Sequence, residues 1–110
     1  MKLEVLVSEI AAKVVTSPPA ADITHVYAGD RISDLLNHAG SGTLLVTNIA
    51  GTQLLRLAEL MDVPAICLLN DVIPDDELVR AAAQHGTALV VAPGGMFETC
   101  GRLYEALKGD

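Results

Sequence analysis

Three short apolar runs dominate the hydrophobic pattern of this chain. They are TLLVTN at Thr43–Asn48, AICLLN at Ala65–Asn70 and TALVVA at Thr87–Ala92, and each begins 22 residues after the one before. A segment with helical spacing of apolar residues follows each run. Runs that are apolar on both faces are typical of strands covered on both sides in a parallel sheet. The recurrence therefore predicts a βαβαβα core.

The preceding residues predict a helix, two strands and a second helix. Helical spacing favours a helix over Leu3–Ala12, and Lys13–Thr16 and Ile23–Tyr27 are the predicted strands. Ser17–Ala21 is predicted to be a loop, because its consecutive prolines remove backbone donors and fix φ. The second helix carries Ile32, Leu35, Leu36 and Ala39 on one face, with Asp30 expected as its N-cap and Gly40 as its terminator.

Three further helices complete the predicted order αββαβαβαβα. They follow the three apolar runs, over Gly51–Asp62, from Pro74 to about His85, and over Met96–Leu107. Pro74 suits a first helical position, and Gly86 is expected to end that helix. The predicted fold class is α/β, a two-layer or three-layer sandwich with a mainly parallel sheet, in a single domain over 1–110.

Composition narrows the function classes. Among 110 residues, 14 acidic and 7 basic side chains give a net charge of −7, which disfavours nucleic acid and anionic membranes as partners. No apolar run has transmembrane length, and the opening Met1-Lys2-Leu3-Glu4 does not resemble a signal peptide. A cytoplasmic protein with reduced thiols is therefore expected.

Small and polar residues follow the predicted strands where ligands gather in open parallel sheets, outside the carboxyl ends of the strands. Turns between strands and helices require the same residue types, so a purely structural role is an equal alternative. The candidate ligand-binding residues are Gly29, Asp30, Asn48, Gly51, Thr52, Asn70, Gly94 and Gly95.

The sequence predicts no catalytic residue, metal site or cofactor. His25, His38 and His85 lie on different elements, and no pair of them has metal-ligand spacing. Cys67 and Cys100 lie on apolar faces, where an inert buried thiol is expected.

Surplus apolar surface predicts a homodimer. Mean hydropathy is +0.42, high for so small a chain. Phe97 and Tyr104, with Gly101 between them, lie beside the predicted buried stripe of the last helix, and Leu55 and Leu60 lie off the stripe of an earlier helix. The alternative is that the first helix and the Ser17–Ala21 loop cover these residues within one chain.

Four segments together resemble the DRTGG-domain family. They are Val26–Leu36, Gly42–Thr47, Pro74–Leu78 and Phe97–Tyr104. The resemblance implies an α/β fold similar to the N-terminal domain of HPr kinase/phosphorylase, without catalytic activity of its own. Where the family signature Asp-Arg-Thr-Gly-Gly would fall, Asn48–Thr52 reads Asn-Ile-Ala-Gly-Thr. The Asp-Arg pair is missing, so an anion contact by that arginine is not carried over.

The leading interpretation is a non-enzymatic regulatory or protein-interaction module, an accessory to a separately encoded metabolic or redox enzyme. The first alternative is a sensor that binds a small ligand, a nucleotide or an acyl phosphate, at the carboxyl ends of the strands. The second is a small enzyme of unknown reaction that uses Asp30 or a cysteine.

Overall fold

The computed structural model describes residues 1–16 and 21–109. Most of the predicted Ser17–Ala21 loop lies outside these residues. The predicted order of helices and strands is confirmed. The elements are α1 Leu3–Glu9, β1 Lys13–Thr16, β2 His25–Ala28, α2 Ile32–His38, β3 Thr43–Thr47, α3 Thr52–Leu60, β4 Ala65–Leu68, α4 Asp76–His85, β5 Ala88–Val91 and α5 Met96–Lys108.

The strands form one mixed sheet in the order β1-β5-β4-β3-β2. β2, β3, β4 and β5 are parallel, and β1 pairs antiparallel with β5. The β1 register shifts between Val14 and Thr16. At this irregularity the Thr16 hydroxyl donates to the Thr87 carbonyl over 2.9 Å and accepts from the Leu89 N–H over 2.8 Å. The side chain thus replaces backbone partners that the bulge removes from the ladder.

Two separate apolar cores show that the fold has three layers. Alternate strand residues point to opposite faces, so Leu44 and Val46 join one core and Leu45 joins the other. The first core contains Leu3 and Leu6 of α1 and Leu103 of α5. The second core contains buried residues of α2, α3 and α4. The predicted α/β sandwich with a mainly parallel sheet is confirmed, and it is the three-layer form.

Several helix ends differ from prediction. α1 ends at Glu9 rather than Ala12, and α3 spans Thr52–Leu60 rather than Gly51–Asp62. Arg31, not Asp30, occupies the N-cap of α2, and its side chain makes no capping hydrogen bond. α2 ends with Ala39 as C-cap in extended conformation, so Gly40 does not terminate it with a positive φ. α4 begins at Asp76, two residues beyond Pro74. Gly86 does end α4, in the left-handed region at φ 70°.

Only some of the apolar side chains predicted to be exposed on the helices are exposed. Leu60 is exposed, but Leu55 is buried in the second core, so its predicted surface position is wrong. Gly101 is exposed, and a Cβ built on it would have no neighbouring atom within 4 Å. Within the described ranges, no helix combines the length and apolar character needed to cross a bilayer.

Candidate functional site

Three polar side chains from three neighbouring strand ends form a hydrogen-bonded row at the carboxyl edge of the sheet. Asp30 follows β2, Asn48 follows β3 and Asn70 follows β4. The Asn48 Nδ2 donates to Asp30 Oδ2 over 3.1 Å, and the Asn70 Nδ2 donates to Asn48 Oδ1 over 3.2 Å. All three side chains are exposed. We call Asp30, Asn48 and Asn70 the polar row.

Asp30 is the most strongly bound member of the polar row. Its Oδ1 accepts the backbone N–H of Asn48 over 2.7 Å and the Thr47 hydroxyl over 3.2 Å. The backbone N–H and then the side chain of Asn48, with a smaller contribution from Thr47, hold the pKa of Asp30 below its usual value. Asp30 is therefore a stable anion at neutral pH and a poor general base.

Thr47 donates to the polar row from the end of β3, a role that was not predicted from the sequence. It ends β3 fully buried, and its hydroxyl also accepts the Ile49 N–H over 3.1 Å. A hydroxyl at the last position of an otherwise apolar strand was the available signal, because a buried hydroxyl needs a partner.

The turn after β4 holds Asn70 in an unusual conformation. Asn70 and Asp71 are consecutive residues with positive φ, 59° and 55°. Asn and Asp adopt this region more readily than other side chains, yet each such residue still costs on the order of 1 kcal/mol. The turn is fixed by the Asn70 N–H, which donates to the Gly94 carbonyl, and by the Asp71 N–H, which donates to the Ala92 carbonyl, both over 2.9 Å.

Gly94 and Gly95 bring the start of α5 against this turn. A Cβ on Gly95 would lie 3.4 Å from Asn70 Oδ1, and a Cβ on Gly94 would lie 2.9 Å from the Glu98 carboxylate. Gly95 is the N-cap of α5 and supplies no side-chain cap. The backbone N–H groups of the first turn of α5 therefore have no side-chain acceptor from their N-cap.

The other predicted ligand residues lie at the same edge but outside the polar row. The Gly29 N–H donates to the Val46 carbonyl over 3.0 Å, which extends the pairing of β2 with β3. Gly51 is the N-cap of α3 and Thr52 is its first residue, and both are exposed. Both residues lie at the start of α3. In the described part of the chain, neither makes a hydrogen bond to the polar row.

Charged groups flank the polar row on both sides. Asp71 pairs with Lys13 of β1 over 3.4 Å, and Arg31 pairs with Asp34 over 3.9 Å. All four side chains are substantially exposed, so each pair contributes little to stability. Lys13 is paired with Val91 at the carboxyl end of β5 and Arg31 directly follows Asp30, so both cations lie at the carboxyl edge of the sheet.

The thiols do not have the environment of nucleophiles. Burial raises the pKa of Cys67 to about 12, and burial also raises the pKa of Cys100. Only a negligible fraction of either thiol is ionised near neutral pH. Among residues 1–16 and 21–109, no three His, Cys, Asp or Glu side chains cluster as a metal site would require.

The predicted dimer residues lie on the outer surface of α5. Phe97 is 95% exposed and Tyr104 is 66% exposed, so α1 does not cover them. Tyr104 lines a groove of about 630 Å³ between α5 and β2, whereas Phe97 lines a separate hollow with Gly101.

Comparison with solved structures identifies the fold. The chain superposes with a TM-score of 0.74 on the regulatory region of a Clostridium perfringens pyrophosphatase, which contains CBS and DRTGG domains and was crystallised with its activator, diadenosine tetraphosphate. The fold is DRTGG-like. The match covers 96% of this chain and 46% of that one, at 12% identity, so the likeness concerns the fold alone. No protein-family model and no curated protein matches the sequence.

Proposed function

We propose that this chain is a regulatory module that performs no chemistry itself and senses a small ligand at the polar row. The observation that carries the proposal is the hydrogen-bonded alignment of Asp30, Asn48 and Asn70 across three strand ends. Ligands of open parallel sheets bind at this edge. The neighbour of the same fold is a regulatory region that binds a nucleotide, which supports the choice of class.

Backbone strain supports a functional role for this edge. Two consecutive left-handed residues, Asn70 and Asp71, are held by backbone hydrogen bonds from their own N–H groups. Such conformations cluster at ligand-binding sites, where a fixed geometry is useful. Single left-handed residues also follow α1 and α3, at Ala11 and Asp62, so the consecutive pair is what distinguishes this turn.

The hydrogen-bonding character of the edge favours a nucleotide over an acyl phosphate. The carboxylate of Asp30 and the amide oxygens of Asn48 and Asn70 are acceptors, which suit ribose hydroxyls or a base amino group. The uncapped first turn of α5 supplies N–H donors, which suit a phosphate. An acyl phosphate has no donor groups for the acceptors of the polar row.

A thermal-shift assay with ATP, diadenosine tetraphosphate, adenosine and acetyl phosphate tests this proposal. At a ligand concentration 100-fold above Kd, binding stabilises the folded state by about 2.7 kcal/mol. For a chain of this size, that raises Tm by on the order of 10 °C. We expect a nucleotide to produce such a shift and Asp30→Asn to abolish it.

Asp62→Asn is the matched control. Asp62 is also an exposed aspartate, but it follows α3 and precedes β4, at the opposite edge of the sheet. The control removes the same charge and should keep the full ligand shift. The proposal is wrong if no compound shifts Tm at millimolar concentration, or if Asp30→Asn shifts as the control does.

The exposed aromatic residues of α5 favour a protein-interaction module as the second candidate. Phe97 and Tyr104 are both exposed on α5, and aromatic side chains are enriched at protein–protein contacts. In this function the chain would be the accessory of a separately encoded metabolic or redox enzyme. Copurification of such an enzyme with the wild-type chain but not with Phe97→Ser tests it, and copurification unaffected by the substitution contradicts it.

A further inference from the structure

β2 is an edge strand with free backbone groups on its outer side. Among the described residues, β2 pairs only with β3. The N–H groups of His25 and Gly29 donate to Gly42 and Val46 in and beside β3. Because backbone groups alternate in direction along a strand, Val26 and Ala28 direct their N–H and C=O groups to the open side. An incoming strand would find two donors and two acceptors there.

The groove between β2 and α5 lies under this open edge. Val26 and Ala28 form one wall, and Leu103, Tyr104 and Leu107 form part of the other. Val26, Ala28 and Leu107 are only partly buried against the first core, so apolar surface remains accessible in the groove. A strand added to β2 would place alternate side chains against this surface.

The charge of the groove differs from that of the whole chain. None of the groove residues is acidic, and Lys108 and His25 are its only ionisable basic residues, although the chain carries −7. The hollow beside Phe97 is different, because Glu9, Glu98 and Glu105 line it together with Arg102. Two copies of an acidic chain repel each other least where both surfaces lack carboxylates.

The β1 edge of the sheet carries features that hinder strand pairing. In the described part of the chain, Lys2 bridges Asp22 antiparallel just before β2, and β2 itself has no partner on its outer side. The bulge between Val14 and Thr16 interrupts β1, and β1 begins with the exposed Lys13. Bulges and edge lysines are devices that prevent edge-to-edge association. β2 has a regular register with β3 over all four residues and contains neither device.

We propose that β2 pairs antiparallel with β2 of a second copy of this chain. A two-fold axis beside Tyr27 places Val26 opposite Ala28 of the other copy, and vice versa. Each pair exchanges two backbone hydrogen bonds, because these are the residues whose polar groups face outward. Two five-stranded sheets then form one continuous sheet of ten strands. A two-fold pairing is self-complementary, so it needs only this one edge.

The two grooves meet on the same face of the continuous sheet. Tyr104 is exposed at the groove in a single copy and becomes a contact across the two-fold axis. Phe97 lies outside the groove. Of the predicted dimer residues, only Tyr104, in the C-terminal half of α5, is therefore part of the proposed contact. This pairing does not depend on the ligand proposed above.

Sedimentation equilibrium of three chains tests the position of the interface. Tyr104→Glu places a carboxylate in each groove and should raise the dimer Kd by at least about 30-fold, as loss of an interface hot spot does. Phe97→Glu makes the same change at a more exposed position of the same helix and should leave Kd within about 2-fold. If the wild-type chain is still monomeric at a concentration of roughly 100 μM, the dimer Kd is weaker than that value and the proposal is overturned. If Phe97→Glu dissociates the dimer and Tyr104→Glu does not, the interface lies on the surface of Phe97 and not at β2.

Amide hydrogen exchange tests the strand pairing itself. In the monomer, the N–H groups of Tyr27 and Gly29 face β3 and are protected, whereas those of Val26 and Ala28 are open to water. Raising the protein concentration above Kd should slow exchange of Val26 and Ala28 by at least about 10-fold and leave Tyr27 and Gly29 nearly unchanged. A dimer in which Val26 and Ala28 still exchange rapidly would exclude strand pairing at β2. In the Tyr104→Glu variant, Val26 and Ala28 should exchange as rapidly as in the monomer at every protein concentration.

Discussion

Asp30 connects the pH dependence of stability to the polar row. Its folded-state pKa lies below the ordinary value of 3.8 because Asn48 and Thr47 donate to the carboxylate. The resulting stabilisation is fully present above the unfolded pKa and disappears as pH falls through the folded pKa. We expect Asp30→Asn to cost about 1 kcal/mol at pH 7, discounted for the exposure of the carboxylate. The cost should shrink as pH falls below about 3.8, which urea unfolding between pH 2 and 7 measures.

The control for this measurement is again Asp62→Asn. The Asp62 side chain accepts no hydrogen bond from the described residues, and Asp and Asn both tolerate its positive φ of 59°, so the replacement changes net charge without removing a bond. Subtracting its effect isolates the contribution of the Asp30 hydrogen bonds. A cost of Asp30→Asn that stayed constant down to pH 2 would show that carboxylate charge contributes nothing at this position.

For individual residues, the sequence predicted where the polar side chains lie better than it predicted the hydrogen bonds that they make. Asp30, Asn48 and Asn70 were expected at one edge because each follows a strand, and the structure brings them into contact. The prediction of Asp30 as an N-cap was wrong, because its strongest donor comes from Asn48, 18 residues away. A local capping rule compares only neighbouring residues, so it cannot weigh a donor that the folding of the next strand delivers.

At the element scale, two glycines should respond in opposite directions to alanine. Gly86 has φ 70°, so Gly86→Ala forces a Cβ into the left-handed region and should destabilise by about 1 kcal/mol. Gly101 lies inside α5 with open space around its Cβ position, so Gly101→Ala should stabilise by about 1 kcal/mol. Urea midpoints at constant m-value measure both changes. A destabilising Gly101→Ala would indicate that something packs against this glycine in solution.

The existence of each strand was predicted from the sequence more reliably than the residues at which it begins and ends. Lys13–Thr16 was predicted with its observed bounds, whereas the run Ala65–Asn70 contains a strand that stops at Leu68. The apolar run continues because Leu69 is buried in the first core without pairing in the ladder. Burial and strand pairing are different properties, and an apolar pattern reports only burial. The antiparallel direction of β1 was equally invisible, since neighbours in a sheet are chosen by long-range packing.

At the scale of the whole molecule, the fold class followed from the sequence and the number of layers did not. The βα recurrence implies parallel neighbours, and four parallel strands are observed. Three layers arise because α1 and α5, at the two ends of the chain, pack on the same face of the sheet. That contact joins residues nearly a chain length apart, so no local pattern encodes it. The groove beside β2 has the same origin, since α5 forms one of its walls.

The net charge of −7 predicts how self-association responds to salt. Each copy repels the other over distances comparable to the Debye length, about 10 Å at 0.1 M salt and shorter at higher concentration. If the contact is the groove, which contains no carboxylate, salt screens the overall repulsion without breaking an attractive ion pair. Raising NaCl from 50 mM to 500 mM should then tighten the dimer several-fold in sedimentation equilibrium. An interface built on the surface of Phe97 would bring Arg102 against the glutamates of the other copy, and its ion pairs would weaken with salt. A dimer Kd that rises with NaCl would therefore contradict the β2 interface and favour that alternative.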